Sequence, residues 1–272
     1  MASGARRVPV GARASGPIGY RPRVPTTSRG AAWAPTLGRS VRLLRDFRYE
    51  QPDPDRFYRA LAEDSVGQVG TYTDLDGATV LDVGAGPGYF ADAFAAAGAR
   101  YCAVDADVGE LSGKGRSPGR NTVLGSGLDL PFADGALDVA YSSNVLEHVP
   151  DPWRMCAEMV RVTRPGGLVF VSYTVWFGPW GGHETAPWHY LGGARARRRY
   201  VRRTGHEPKN RYGESLFPVT VAAARRWAAA QDTADVVAVL PRYHPAWARW
   251  VSAVPVLGEV ATWNLAVILR PR

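Results

Sequence analysis

The sequence has little cysteine and no long apolar run. Its two cysteines, Cys102 and Cys156, exclude a disulfide framework, and they lack the paired spacing of a zinc site. No stretch reaches the roughly 18 apolar residues of a membrane span, and no apolar block follows the N-terminal arginines as in a signal peptide. A chain of 272 residues is long enough to bury one sizeable core. We therefore expect a cytoplasmic protein with one main domain.

Acidic residues are absent from the first 45 positions, which contain nine arginines. The whole chain has 33 basic and 25 acidic residues, so residues 46–272 carry a net charge of −1 despite the overall +8. This distribution disfavours a nucleic-acid partner for the globular part. Residues 1–39 are rich in Gly, Pro, Ala, Ser and Arg without apolar periodicity, so they are predicted to form a disordered tail before a domain spanning 40–272.

Apolar strand patterns alternate with helix patterns through most of the domain. Strands are predicted at Thr79–Val83, Tyr101–Val104, Leu137–Tyr141, Leu168–Tyr173, Val236–Leu240 and Trp263–Leu269, and helices at Tyr89–Ala97, Trp153–Val162 and Val219–Gln231. Strands separated by helices of this length pair in parallel, with helices on both faces of the sheet. The sequence therefore predicts a doubly wound α/β fold.

A glycine-rich turn follows the first predicted strand, within Val80–Phe90. Glycines at 84, 86 and 88 allow a sharp turn and the close approach of a ligand. A dinucleotide-binding turn needs Gly or Ala where this chain has Tyr89, which disfavours a dinucleotide oxidoreductase. Asp105 ends the second strand 21 residues after Gly84, where a carboxylate accepts hydrogen bonds from ribose hydroxyls; the alternative is that it caps the next helix.

Together with three later segments, these motifs resemble the class I S-adenosylmethionine-dependent methyltransferases, especially the methyltransferase type 11 group. The later segments are Leu128–Asp138, Asn144–Asp151 and Arg164–Phe170. The resemblance covers about residues 75–175 in detail. It implies a Rossmann-like, doubly wound sheet of seven strands whose last strand is antiparallel, a role that suits Trp263–Leu269. It also implies S-adenosyl-L-methionine as the cofactor.

The resemblance assigns cofactor contacts to individual positions of this chain. Asp82 and the three glycines would line the methionine side, Asp105 would hold the ribose, and Asn144 would lie beside the sulfonium. The adenine would be flanked by Ser126, Gly127 and Leu128. Many relatives have an acidic residue where this chain has Ser126, so the polar contact to the adenine amino group is not carried over.

Three side chains are candidates for acid–base catalysis. His148 follows the fourth strand, near the expected methyl group, and is either a base or a packing residue. His183 and Glu184 would act as an acid–base pair, bind substrate or simply shape a loop. No metal site is expected, because the segment from His183 to His189 is interrupted by Pro187 and its histidines do not share a helical face.

The connection after the fifth strand, residues 175–217, is much longer than an ordinary loop. It is predicted to recognise the acceptor, because its first part is rich in Trp, His and Tyr and residues 191–211 carry a local charge of +7. The expected partner is a small-molecule or lipid-linked acceptor, including an anionic one, or an anionic membrane surface. The sequence does not indicate an oligomeric state. A non-catalytic protein that binds an anionic partner remains an alternative function to methyl transfer.

Overall fold

The computed structural model describes residues 33–107 and 121–272. Its strands are β1 (Thr79–Val83), β2 (Arg100–Asp105), β3 (Thr122–Leu124), β4 (Leu137–Ser143), β5 (Thr163–Thr174), β6 (Ala234–Pro241) and β7 (Asn264–Pro271). The α-helices of this part are α1 (Leu37–Phe47), α2 (Pro54–Val69), α3 (Ala91–Ala96), α4 (Pro152–Val162), α5 (Gly193–Thr204), α6 (Val221–Ala229) and α7 (Leu257–Ala261). Short 3-10 segments occur at Leu146–His148, His183–Thr185, Trp188–Leu191 and Ala246–Ala253.

The strands form one sheet in the order β3-β2-β1-β4-β5-β7-β6. The pairings from β3 to β5 are parallel, whereas β7 is antiparallel to both β5 and β6. The predicted α/β sheet of seven strands with an antiparallel last strand is therefore confirmed. Because the carboxyl ends of parallel strands meet at one edge, the loops that follow β1, β2, β4 and β5 lie near one another.

Each face of the sheet has its own apolar core. Leu81 and Ala140 lie on one face with Met155 and Met159 of α4. The neighbouring strand positions point to the other face, where they pack against α2 and α3; the residues concerned include Val80, Val139, Phe57, Leu61 and Phe94. This alternation is the two-residue period of a strand covered on both sides. No helix among the described residues is long and apolar enough to cross a membrane.

The strand β3 and the start of helix α1 differ from the sequence-based expectation. The short strand β3 is not predicted, because its three residues are at most half-buried and give no apolar pattern. Helix α1 begins at Leu37, before the predicted domain start at residue 40, since the Thr36 side chain caps it by accepting from the Arg39 N–H. Of the predicted disordered tail, residues 1–32 lie outside the described residues, whereas 33–39 pack against the domain through Arg39 and Trp33.

Buried charges attach the N-terminal helices to the sheet. Arg39 of α1 forms a two-bond salt bridge with Asp64 of α2, with N–O distances of 2.6 and 2.7 Å, and its third contact is to the carbonyl of Arg242 at 3.0 Å. The Arg242 guanidinium is itself buried and donates to hydroxyls on α2, β4 and β5, those of Ser65, Tyr141, Ser143 and Ser172. Asp64 is therefore the carboxylate that neutralises Arg39, whereas the Arg242 cation is held by neutral hydroxyl groups.

We predict that Asp64→Asn lowers the free energy of unfolding by about 3–5 kcal/mol, because it leaves the buried Arg39 guanidinium without a counter-charge. Denaturant-induced unfolding monitored by circular dichroism measures the change. Asp235→Asn is the control, since its ion pair with Arg272 is exposed and is worth less than about 1 kcal/mol. Equal stability losses in the two variants would contradict the role given to Asp64.

Candidate active site

The glycine-rich turn between β1 and α3 has two structurally different parts. Gly84, Gly86 and Gly88 all have positive φ, at 77°, 51° and 75°. A methyl group added at Gly84 would lie 2.5 Å from Val145 Cγ2, whereas one added at Gly86 or Gly88 would meet no described atom within 4 Å. Gly84 is thus required for packing against the loop after β4, and the other two glycines border open space that a ligand can occupy.

Asp105 connects the end of β2 to this turn. Its Oδ2 accepts a hydrogen bond from the Gly86 N–H at 2.8 Å, and its Oδ1 accepts from the Asp107 N–H at 3.0 Å. The second bond is consistent with the capping alternative, although residues 108–120 lie outside the described part. Each carboxylate oxygen can accept more than one hydrogen bond, so the group retains acceptor capacity for ribose hydroxyls.

Asp82 lies in the core beneath the turn rather than at its surface. It is 2% exposed, and the Tyr101 hydroxyl donates to its Oδ2 at 2.7 Å. Burial raises its pKa to about 7, the Tyr101 hydrogen bond opposes that shift, and the charge of Asp105 adds to it. The carboxylate expected on the methionine side therefore titrates near neutral pH.

The remaining expected cofactor residues lie on two neighbouring loops. Gly125 donates its N–H to the Asp105 carbonyl at 2.9 Å, which places the turn with Ser126, Gly127 and Leu128 beside the end of β2. The exposed Ser126 hydroxyl accepts from the Leu128 N–H at 3.1 Å. Asn144 follows β4 with a φ of 58°, and its Oδ1 accepts from Asn264 Nδ2 at 2.6 Å. The chain thus brings the expected residues to one edge of the sheet.

The candidate catalytic residues divide into a cluster and an outlier. His148 and His183, 35 positions apart, have ring centroids 5.1 Å apart and nearly perpendicular planes. Glu147, which the sequence reasoning missed, joins them: one ligand-type atom from each of the three lies within 4.8 Å of the others. Glu184 is exposed, and its Oε1 accepts from Asn210 Nδ2 at 2.9 Å. The structure therefore favours Glu147, rather than Glu184, as the carboxylate that accompanies the histidines.

The long segment 175–217 folds back over this cluster and is tied to it at several points. His148 Nδ1 lies 2.8 Å from the Ser215 carbonyl, and the Phe217 N–H donates to the Glu147 carbonyl at 2.7 Å. Helix α5 packs against the 3-10 turns that contain His183 and Trp188. The segment thus covers the ends of β4 and β5, next to the glycine-rich turn.

We predict that the pKa of Asp82 gives unfolding a specific pH dependence. A raised folded-state pKa means that the folded protein keeps a proton that the unfolded chain has released, so stability falls as pH rises from about 4 to about 7, by at most about 1.4 kcal/mol per pH unit. In Asp82→Asn this contribution is absent. The stability of the variant relative to wild type, measured by denaturant unfolding without ligand, should therefore rise between about pH 4 and about pH 7.

Asp138→Asn provides a control of opposite sign. The Thr79 N–H and the Arg164 guanidinium hold the pKa of the Asp138 carboxyl below its usual value. The ionised carboxyl therefore stabilises the folded protein at neutral pH, and this contribution is lost on acidification. The stability of Asp138→Asn relative to wild type should accordingly fall as pH rises. A pH-independent difference between wild type and Asp82→Asn would show that the Asp82 carboxyl is already ionised in the folded protein at acidic pH.

Comparison with known proteins identifies the family that this chain matches. Residues 81–171 match the family profile of a methyltransferase domain. Relatives named uncharacterized methyltransferases occur in Mycobacterium marinum, with 54% identity over 247 residues, and in Mycobacterium leprae, with 55% identity over 246. The alignments cover 87% of this chain and 96% or 91% of the relative.

Solved structures of low sequence identity share the fold. A putative S-adenosylmethionine-dependent methyltransferase from Listeria monocytogenes superposes with a TM-score of 0.51 at 16% identity, covering 78% of this chain and 99% of that one. The corresponding values for an S-adenosylmethionine-dependent methyltransferase from Mesorhizobium loti are 0.52, 19%, 77% and 97%. With its sheet order, its glycine-rich turn and its close relatives, the chain belongs to the class I S-adenosylmethionine-dependent methyltransferases.

Proposed function

We propose that this methyltransferase modifies a small-molecule or lipid- or glycan-linked acceptor that binds against an aromatic wall beneath segment 175–217. The observation that carries the proposal is a continuous series of ring contacts from the glycine-rich turn to that segment. Family membership removes the dinucleotide oxidoreductase as an alternative. The open question is therefore which acceptor receives the methyl group, and the residues around the acceptor-binding space bear on it.

The aromatic wall consists of six residues from four parts of the chain. Tyr89, after the glycines, stacks on Tyr58 of α2 with centroids 4.6 Å apart, and the contacts continue through Phe57 and Phe47 of the N-terminal helices. Phe47 contacts Trp180 at 5.3 Å, and Trp180 contacts Trp263 at 4.8 Å. Tyr89 and Phe57 are buried at the base of this row, whereas the other four rings are partly exposed and favour an acceptor with substantial apolar surface.

Cofactor binding is assigned to the turn, to Asp105 and to the neighbouring loops. A Cβ added at Gly86 or Gly88 would enter open space. A ligand can occupy this space in close contact with the backbone. S-adenosylmethionine supplies an already activated methyl group, so the protein acts mainly by alignment and by excluding water. Asp105 would hold the ribose while keeping its bond to the Gly86 N–H.

The charge on the surface of α5 suits an acceptor that carries an anionic group, or an anionic membrane in which the acceptor lies. Five arginines of this helix are exposed, namely Arg195, Arg198, Arg199, Arg202 and Arg203. Arg197 is instead neutralised by Glu207 and Glu214, at 2.8 and 2.7 Å. Arg198 and Arg202 also line a pocket of about 490 Å³ beside Tyr212. An exposed cationic face of this kind attracts phosphate or carboxylate groups, and this attraction weakens as the salt concentration rises.

The experiment that tests the function follows labelled methyl groups from S-adenosylmethionine into the aqueous small molecules and the lipids of the organism that carries this chain. We expect labelled product with wild type. Trp180→Ala should lower the rate at least about tenfold, because it opens the centre of the aromatic wall, and should leave affinity for S-adenosylhomocysteine within about twofold. Trp247→Ala is the matched control, since Trp247 is 70% exposed and lies outside the wall.

Loss of labelling in both tryptophan variants, or in neither, would contradict the assignment of the wall to the acceptor. Absence of label from both fractions with wild type, although the protein binds S-adenosylhomocysteine, would contradict the proposed acceptor class.

A second prediction separates the two kinds of glycine in the turn. Gly86→Ala places a methyl group in the ligand space, so affinity for S-adenosylhomocysteine should fall at least about tenfold by calorimetry, with a stability loss of about 1–2 kcal/mol from the positive φ. Gly84→Ala should be less stable than Gly86→Ala because it also meets Val145. Adding Val145→Ala should recover stability in the Gly84 variant alone. Undiminished affinity in Gly86→Ala would remove this position from the cofactor site.

A further inference from the structure

We propose that Glu147, His148 and His183 bind a divalent first-row transition-metal ion. One carboxylate oxygen and one nitrogen from each ring lie within 4.8 Å of one another. Three atoms at such separations have a common point within about 2.8 Å of each, whereas zinc bonds to nitrogen and oxygen are about 2.0–2.2 Å. Binding therefore needs an inward movement of about 0.7 Å per ligand, which is small for side chains on loops.

Glu147 provides the strongest reason to expect a cation. Its side chain is 1% exposed, and its Oε1 accepts from the Thr174 N–H at 2.9 Å. Its Oε2 is buried and has no hydrogen-bond partner among the described residues. A buried carboxylate oxygen without a partner is unfavourable, and a bound cation beside it would remove that cost.

His148 is held in the arrangement of a metal ligand. Its Nδ1 lies 2.8 Å from the Ser215 carbonyl oxygen, which can only accept a hydrogen bond. Nδ1 is therefore the donor in this contact, which leaves Nε2 as the ring nitrogen that can bind a metal. Metal-binding histidines are commonly oriented in this way, by a carbonyl or carboxylate on the other ring nitrogen.

His183 comes from segment 175–217 and completes the set from the opposite side. Its backbone has a φ of 48°, in the left-handed region that few non-glycine residues adopt. Its Nδ1 is 3.4 Å from the Gly181 carbonyl, a looser contact than that of His148. His183 is therefore the least restrained of the three ligands, and a bound ion would fix this segment to the turn after β4.

The donor set selects the class of metal. Two imidazoles with one carboxylate suit iron(II), cobalt, zinc or manganese, whereas magnesium and calcium prefer sites made of oxygen. Three protein ligands leave coordination positions open. A role for these open positions rests on the proposed function: an oxygen atom of the acceptor would occupy one of them and so be held near the cofactor.

The test uses the full chain, stripped of metal with a chelator and free of any affinity tag. Cobalt(II) is the probe, because its visible absorption reports coordination by the protein, and calorimetry gives the stoichiometry. We expect one equivalent to bind with a dissociation constant below about 0.1 mM, competition by zinc, and no competition by magnesium at equal concentration. Glu147→Gln and His183→Ala should each weaken cobalt binding at least about tenfold.

His206→Ala is the control, since this exposed histidine contacts the Glu207 carbonyl on the surface; it should bind cobalt like wild type. Binding of S-adenosylhomocysteine checks that each variant is folded. Absence of saturable cobalt binding in wild type, or equal binding in His183→Ala, would overturn the metal site and identify the cluster as three hydrogen-bonding groups. Because cobalt binding is measured without a methyl acceptor, its result is independent of the test of the proposed function.

Discussion

The position of the proposed acceptor side depends on one buried carboxylate. Asp64 neutralises Arg39, and Arg39 in turn bonds to the carbonyl of Arg242, whose guanidinium reaches Ser143 and Ser172 at the ends of β4 and β5. Buried ion pairs contribute little net stability but fix orientation, since misaligned charges in a core are costly. This network holds α1 and α2, with their half of the aromatic wall, at the strand ends where methyl transfer would occur.

The cofactor side and the acceptor side are joined by close packing as well as by charge. Gly84 fits against Val145 in the loop after β4, and Asn144, directly before it, bonds to Asn264 at the start of β7. A shift of the glycine-rich turn would therefore displace the loop that carries Glu147 and His148. In the proposed site, alignment of methyl donor and acceptor would thus depend on the packed strand ends rather than on any single side chain.

Local patterns predicted the parts of the structure that are determined locally. Strand β1 has its predicted limits, and the sharp turn predicted after it is made by glycines with positive φ angles. By contrast, β5 begins at Thr163, ahead of the predicted Leu168, because the polar and glycine-containing start of the strand gives no apolar signal. The approach of His183 to His148 depends on the path of a long segment, which no local pattern encodes. Glu147 went unrecognised for the same reason.

Segment 175–217 is attached to the loops at the strand ends near both of its own ends. Its early part contributes Trp180 and His183 at the strand ends, and Ser215 and Phe217 return to the turn with Glu147 and His148. The intervening residues 184–214, with α5, lie between these two fixed points. Such a layout lets insertions and substitutions accumulate in the middle while the catalytic geometry is preserved. If α5 contacts the acceptor as proposed, substitutions in this middle part can change the acceptor while both attachment points stay in place.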